Sequence, residues 1–381
     1  MSARRAYLDH HATTPIDDAA REAMREVLDG PPGNPSSTHA DGRHARALLE
    51  RARRQLAEAT GAQTSDLVFT SGGTEAVHLA VQGLARHEAP AAVWCDPGAH
   101  ACLVGALEAV ATEARVPLRW IPARGDGTLD LEAFEAALGT AALVGVARVQ
   151  HETGVLADAA KVSVIVRERG GRTVVDAVQA LGKVPVDVAT LGADATAFSA
   201  HKLGGPMGVG ALWTRAALVP AMRGGGQERG LRPGTHNLVG AVGFGAAAAR
   251  VDERLAAMDA VAALRDRIEA TCISYGAEAS ASALPRVATA AHVAWRTALE
   301  APELVAAFDL AGVSVSAGSA CSSGRARRSE SMARLFPNDP WRAASSLRVT
   351  LGPTTTRADV EAFETAAAAV FPRFGLERIR A

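Results

Sequence analysis

The chain has 381 residues, with 40 Lys+Arg against 41 Asp+Glu, a formal net charge of -1 and 48% hydrophobic residues. That balance offers no field able to hold nucleic acid or an anionic membrane, and it excludes disorder as the global state. Only 4% of the residues are aromatic, which argues against a platform for stacked bases.

The amino terminus carries arginines but no apolar run behind them, so no signal peptide is expected. Residues 17–28 and 39–59 read as helices, separated by the Pro- and Gly-rich stretch 30–37, which forbids helix continuation. From about residue 64 to 213, short apolar β-branched runs alternate with helical patterns, the mark of a mostly parallel sheet covered by helices. The predicted strands are 67–69, 92–94, 142–146, 173–175, 195–198 and 209–213; the predicted helices are 74–87, 102–114, 131–138 and 159–169. One long Ala-rich helical pattern follows from about 238 to 274, and its most apolar part, 241–249, is shorter than the roughly 18–20 residues that span a bilayer. Strands near 287–295 and 347–351 and helices near 302–310 and 357–371 then suggest a small α+β carboxyl-terminal domain. Four cysteines, Cys95, Cys102, Cys272 and Cys321, show no C-x-x-C spacing, which suits a reducing compartment, and a cytoplasmic protein is expected.

Lysine occurs only at Lys161, Lys183 and Lys202. In so arginine-biased a chain a surviving lysine is enriched for work that needs a primary amine, since guanidinium forms no Schiff base. Lys161 begins a polar helix face and Lys183 sits in a Gly-Lys-Val-Pro turn, and both are expected at the surface. Lys202 follows a strand and opens a glycine loop, and Asp176 ends another apolar strand 26 positions earlier. Strand ends are where α/β folds place ligands, and an amine with a carboxylate there suits pyridoxal phosphate, whose aldehyde takes the amine and whose ring nitrogen takes the carboxylate. Phe69-Thr70-Ser71-Gly72-Gly73-Thr74-Glu75, a strand, a glycine pair and a helix start, is a candidate phosphate site. Ser199 and His201 offer further donors beside it. Cys321 lies in a small, polar run followed by Arg325, Arg327 and Arg328, a setting that favours thiolate. Cys95, Cys102 and Cys272 are expected to be buried and inert. His10 and His11 are read as loop packing or as a site wall in preference to metal ligands, which would need further partners at fitting spacing.

Taken together, these residues resemble the cysteine desulfurases of the NifS/IscS type, within the class V, fold-type I pyridoxal-phosphate enzymes. The resemblance runs through Tyr7-Leu8-Asp9-His10-His11-Ala12-Thr13-Thr14-Pro15, Gly33-Asn34-Pro35-Ser36-Ser37, Val175-Asp176-Ala177-Val178-Gln179, Ser199-Ala200-His201-Lys202, Arg232-Pro233-Gly234-Thr235, Gly318-Ser319-Ala320-Cys321 and Ser346-Leu347-Arg348. It implies a large pyridoxal-phosphate domain over 16–249, and a small domain from 1–15 and 250–381. It implies Lys202 as the Schiff-base lysine and proton shuttle, Asp176 on the pyridine nitrogen, Gln179 on the ring hydroxyl, and His100 stacked on the ring and exchanging protons. Gly73, Thr74, Ser199 and His201 would hold the phosphate; Thr235 would reach the phosphate of a neighbouring subunit, which implies a homodimer. Arg348 would clamp the substrate carboxylate, and Cys321 would take sulfur from L-cysteine as a persulfide for a protein acceptor such as a scaffold or sulfur carrier.

Two positions depart from the family pattern. His151 in Gln150-His151-Glu152-Thr153-Gly154 replaces an asparagine that helps to position substrate or ring, and Gln227-Glu228-Arg229-Gly230 replaces His-Glu-Arg-Gly. Related class V chemistry, a selenocysteine lyase or an aminotransferase, and an impaired homologue acting as a dimeric scaffold are the competing expectations.

Overall fold

The structure is a computed structural model and describes residues 5–297, 299–318 and 328–379. The chain enters through β1 (Ala6–Tyr7) and two helices, α1 (Asp18–Asp29) and α2 (Ala40–Thr60). It then lays down β2 (Leu67–Thr70), α3 (Gly73–His87), β3 (Ala92–Cys95), α4 (Ala101–Ala114), β4 (Leu118–Trp120) and α5 (Leu131–Ala137). After these come β5 (Ala142–Ala147), α6 (Ala159–Glu168), β6 (Arg172–Asp176), α7 (Val188–Leu191), β7 (Ala195–Ser199) and β8 (Gly210–Thr214). These strands form a seven-stranded sheet in the order β2-β8-β7-β6-β5-β3-β4, parallel except where β8 runs against β2 and β7. Nearly every residue of β2 and β5–β8 is buried, as expected of strands covered on both faces, and this is why they read as continuous apolar runs.

The predicted long helix is three: α8 (Leu238–Ala248), α9 (Val251–Ala256) and α10 (Met258–Ile273). The chain leaves helical hydrogen bonding around Ala249 and Arg250 and again at Ala257. Alanine hides such breaks, since it suits a helix and its ends alike. The remaining elements are β9 (Glu278–Ala279), β10 (Ala290–Ala294), α11 (Ala301–Leu310), β11 (Val313–Ser314), α12 (Glu330–Leu335), α13 (Trp341–Ala344), β12 (Ser346–Thr350) and α14 (Arg357–Val370). Here β9, β10 and β12 make an antiparallel sheet, while β1 pairs in parallel with β11. This region has its own core: Phe308 and Phe363 stack with centroids 5.2 Å apart, and Phe371 meets Trp295, Tyr275 and Phe308. Leu8 packs into the same core, so the first residues and the last hundred are joined by burial.

One ion pair holds a strained loop against the large sheet. Glu228 and Arg229 both lie in the left-handed region, at φ 48° and 58°, which costs on the order of 1–3 kcal/mol per non-glycine residue. Arg53, on α2, answers with two 2.8 Å contacts to the Glu228 carboxylate, which also accepts from the Phe69 amide at 2.9 Å. Burial by itself would raise the Glu228 pKa, but hydrogen bonds from His236 and Arg53 pull it down to about 2. Glu228→Ala should therefore destabilise the protein by about 3–5 kcal/mol, read by denaturant unfolding, because it strands a buried guanidinium. Since the folded pKa lies below the ordinary 4.5, the stabilisation is complete above about pH 4.5 and is lost as pH falls toward about 2. The gap in stability between wild type and Glu228→Gln should shrink over that window.

Candidate active site

Adjacent parallel strands end at one edge of the sheet, and that edge carries the chemistry. There β6 ends at Asp176, and β7 ends at Ser199 before a 3₁₀ turn over Ala200–Lys202. β2 delivers the amino terminus of α3 at Gly73 to the same edge. From the second core, β12 contributes Arg348. Together these enclose a cavity of about 410 Å³ lined by Gly73, Thr74, His100, Cys102, His151, Asp176, Gln179, Ser199, His201, Lys202 and Arg348.

The turn after β1 supports the two groups nearest the cavity floor through its carbonyls. The Lys202 ammonium donates to the carbonyls of His11 and, at 2.8 Å, of Ala12. The Gln179 amide nitrogen donates to the same His11 carbonyl at 2.9 Å. Asp176 is buried and accepts a 2.9 Å hydrogen bond from the Val178 amide, yet burial still raises its pKa. A buried carboxylate of this kind favours a cationic partner. His201 contacts the Thr13 hydroxyl at 3.3 Å, and burial, followed by the charge of Lys202, lowers its pKa to about 4.

On the opposite wall His100 caps α4: its Nδ1 accepts from the Cys102 amide at 3.2 Å and lies 3.1 Å from the Cys102 sulfur. The acceptor role of Nδ1 leaves the proton of neutral His100 on Nε2. His151 meets His100 edge-on, with centroids 5.3 Å apart, and burial, then His100, holds its pKa well below the usual value, so its imidazole is neutral. Arg348, almost fully buried, donates to Asp9 and to the Ser316 hydroxyl at 3.1 Å each, and reaches the His151 carbonyl at 3.4 Å. Its Nε has no hydrogen-bond partner among the described residues.

The donor set suits pyridoxal phosphate. An amine and a buried carboxylate stand on neighbouring strand ends, and an arginine with a donor to spare faces them. At the amino terminus of α3, free amides and the Thr74 and Ser199 hydroxyls can take a phosphate. Gly73 is needed there because a Cβ would come within 2.7 Å of Val178.

Two expectations are corrected, those for Lys183 and Cys102. Lys183 is buried, not at the surface, and donates to Gln179 at 2.8 Å, because the turn that contains it folds back beneath the cavity. Cys102 is half-buried and lines the cavity, since the His100 cap turns the first residues of α4 toward the site; Cys95 and Cys272 are buried as expected. Thr235 is exposed and outside this cavity, and its expected place is the phosphate site of a neighbouring subunit. Cys321, Arg325 and Arg327 lie outside the described residues. The sequence reading assigned no role to the His11 and Ala12 carbonyls or to Asp9: backbone groups carry no residue-type signal, and an aspartate in a terminal turn looks ordinary.

Residues 6–363 match the aminotransferase class-V family, to which the chain belongs. Its curated relatives within that family include the IscS-like cysteine desulfurase of Mycobacterium tuberculosis, 37% identical over 376 residues, with 94% of each chain covered. A cysteine desulfurase of Frankia sp. (strain EuIK1) is 37% identical over 382 residues, covering 93% of this chain and 88% of the relative. A solved structure described as a NifS-like protein superposes with a TM-score of 0.89 at 26% identity, covering 97% of this chain and all of the other.

The burial pattern makes a chemical prediction. Brief alkylation of the native protein with a small maleimide should label Cys102 and leave Cys95 and Cys272 unmodified, as read by peptide mass spectrometry. Labelling of Cys95 or Cys272 equal to that of Cys102 would contradict the burial of β3 and α10, and an unlabelled Cys102 would contradict the placement of α4.

Proposed function

We propose that this chain is a pyridoxal-phosphate-dependent cysteine desulfurase. The observation that carries the reading is the convergence of Lys202, Asp176 and Arg348 on one cavity in a class-V chain whose near-full-length relatives are named cysteine desulfurases. Pyridoxal phosphate, when bound, supplies an aldehyde for the substrate amine and an electron-withdrawing ring.

In this reading Asp176 supplies the negative charge beside the ring nitrogen, and Gln179 donates to the ring hydroxyl. The amides at Gly73 and Thr74, with Ser199 and His201, take the phosphate. Arg348 binds the substrate carboxylate through its fork, and the second core thus supplies the substrate contact. Lys202 would move the proton at the substrate α-carbon, and His100, with its Nε2 proton, would serve as a second donor. His151 stays neutral through burial and fills the wall beside both. The net chemistry is L-cysteine plus the Cys321 thiol giving L-alanine plus a Cys321 persulfide: the substrate carbon–sulfur bond breaks, a sulfur–sulfur bond forms, and the β-carbon takes a proton. The persulfide then passes to a protein acceptor. We further propose a cytoplasmic homodimer in which Thr235 completes the phosphate site of the partner, and a division into a large domain over 16–249 and a small one from 1–15 and 250–381. Among the described residues no helix is long and apolar enough to cross a membrane.

The test is absorbance between roughly 300 and 500 nm, followed by assays of sulfide and alanine after addition of L-cysteine and a thiol reductant. Equal yields of the two products, abolished by Cys321→Ala with the visible band retained, are expected. Alanine formed only when pyruvate is added, with cysteine converted to its 2-keto acid, would mark an aminotransferase instead. Arg348→Ala should raise KM for cysteine about 30-fold or more, in line with ~2–5 kcal/mol for removing one partner of a buried charge contact, while the cofactor spectrum is unchanged.

A further inference from the structure

Lys183 is the one buried lysine that the reaction leaves without a task. It follows Gln179 by four residues in a turn whose glycine, Gly182, has φ +73°, a conformation that strains any L side chain. That turn brings the Lys183 ammonium to 2.8 Å from Gln179 Oε1. Gln179 Nε2 donates in turn to the His11 carbonyl at 2.9 Å, the carbonyl that Lys202 also uses. A carboxamide has an acceptor end and a donor end, and its two contacts here accept only one orientation. Rotated by 180°, it would set nitrogen against the lysine donor and oxygen against the His11 carbonyl.

We propose that Lys183 is a positioning residue that locks the Gln179 carboxamide with its nitrogen toward His11 and Lys202, so that Gln179 meets bound pyridoxal phosphate as a hydrogen-bond donor. The inference rests on the reading of the cavity as a pyridoxal-phosphate site. A lysine suits this place where an arginine would not. The position is buried beside the cations Lys202 and Arg254, and burial, then those two charges, pushes the Lys183 pKa well below the usual lysine range. An amine can give up its proton and still donate through its remaining N–H bonds, whereas guanidinium cannot be neutralised. In a chain that keeps three lysines among 40 basic residues, this is a second lysine position that needs an amine.

The experiment compares wild type, Lys183→Met, Gln179→Ala and the double variant in their reconstituted forms. Two quantities are read: the absorbance maximum of bound pyridoxal phosphate and its dissociation constant. Lys183→Met removes the donor at similar length; it should displace the absorbance maximum and weaken cofactor binding about three- to tenfold, the loss of roughly one hydrogen bond. Gln179→Ala should do at least as much, and the double variant should match Gln179→Ala alone, since Lys183 acts only through that side chain. Lys183→Gln, which keeps an N–H donor without charge, should restore the wild-type spectrum and affinity. If Gln179→Ala changes the spectrum and Lys183→Met does not, the positioning role is overturned while the cofactor reading stands. If the two effects add in the double variant, Lys183 acts by another route and the proposal is equally overturned. No change from Gln179→Ala would remove the premise that Gln179 meets the ring, and the inference with it. Should the methionine variant prove insoluble, Lys183→Gln decides alone: a displaced spectrum and weakened binding would refute the role of the donor.

Discussion

The architecture depends on keeping opposite charges close, buried and apart from one another. Asp176 stands at the end of β6 in a site dry enough to raise its pKa, Lys202 stands one strand away, and Arg348 arrives from another sheet. Direct ion pairing of Asp176 with either cation would cancel the charges the chemistry needs. Other partners take the cations instead: the backbone carbonyls of His11 and Ala12 receive the Lys202 ammonium, while the Asp9 carboxylate and the Ser316 hydroxyl engage one nitrogen of the Arg348 guanidinium. Each charge is thus solvated by the protein in a fixed direction, the arrangement that makes electrostatic preorganisation effective.

The two cores share this task unequally. The large sheet supplies Asp176, Gln179, Ser199 and Lys202 from neighbouring strand ends, and its rigidity comes from strands buried on both faces. The antiparallel sheet supplies Arg348, with His292 opposite it in register. His292 is buried with its Nε2 4.0 Å from one Glu152 carboxylate oxygen, and the other oxygen accepts from the Ser329 hydroxyl at 2.6 Å. The residue after His151 therefore ties the start of α12 to the wall of the cavity. The imidazole of His151 packs against that of His100 with the two ring planes nearly perpendicular.

Much of this was legible in the sequence because strand ends and glycine loops are local signals. The six predicted strands of the large sheet fall within one or two residues of those observed, and Lys202, Asp176 and the Gly73 turn occupy the edge that the alternation of elements implied. What escaped was non-local. The local pattern around Lys183 is a turn, and it is one, but nothing in Gly-Lys-Val-Pro states that the turn lies beneath another residue's side chain. Cys102 sits in an apolar helical pattern that predicts burial, and only the cap made by His100 rotates that first turn toward the cavity. The short strands β4, β9 and β11 have two or three residues each, too few for any periodicity to register.

The seating of Lys202 and Gln179 on a turn near residue 11 has a consequence for biosynthesis. That turn is itself held by β12, through the Thr350 hydroxyl on the His11 amide and the His10 amide on the Thr350 carbonyl. On the ribosome, the first strand of the chain must wait for one of the last before its carbonyls are fixed in place. A nascent chain that has already assembled the large sheet still lacks the support for its own lysine, and the Arg348 fork has not yet been made. Completion of the cavity is thereby deferred until β12 has emerged and packed against that turn.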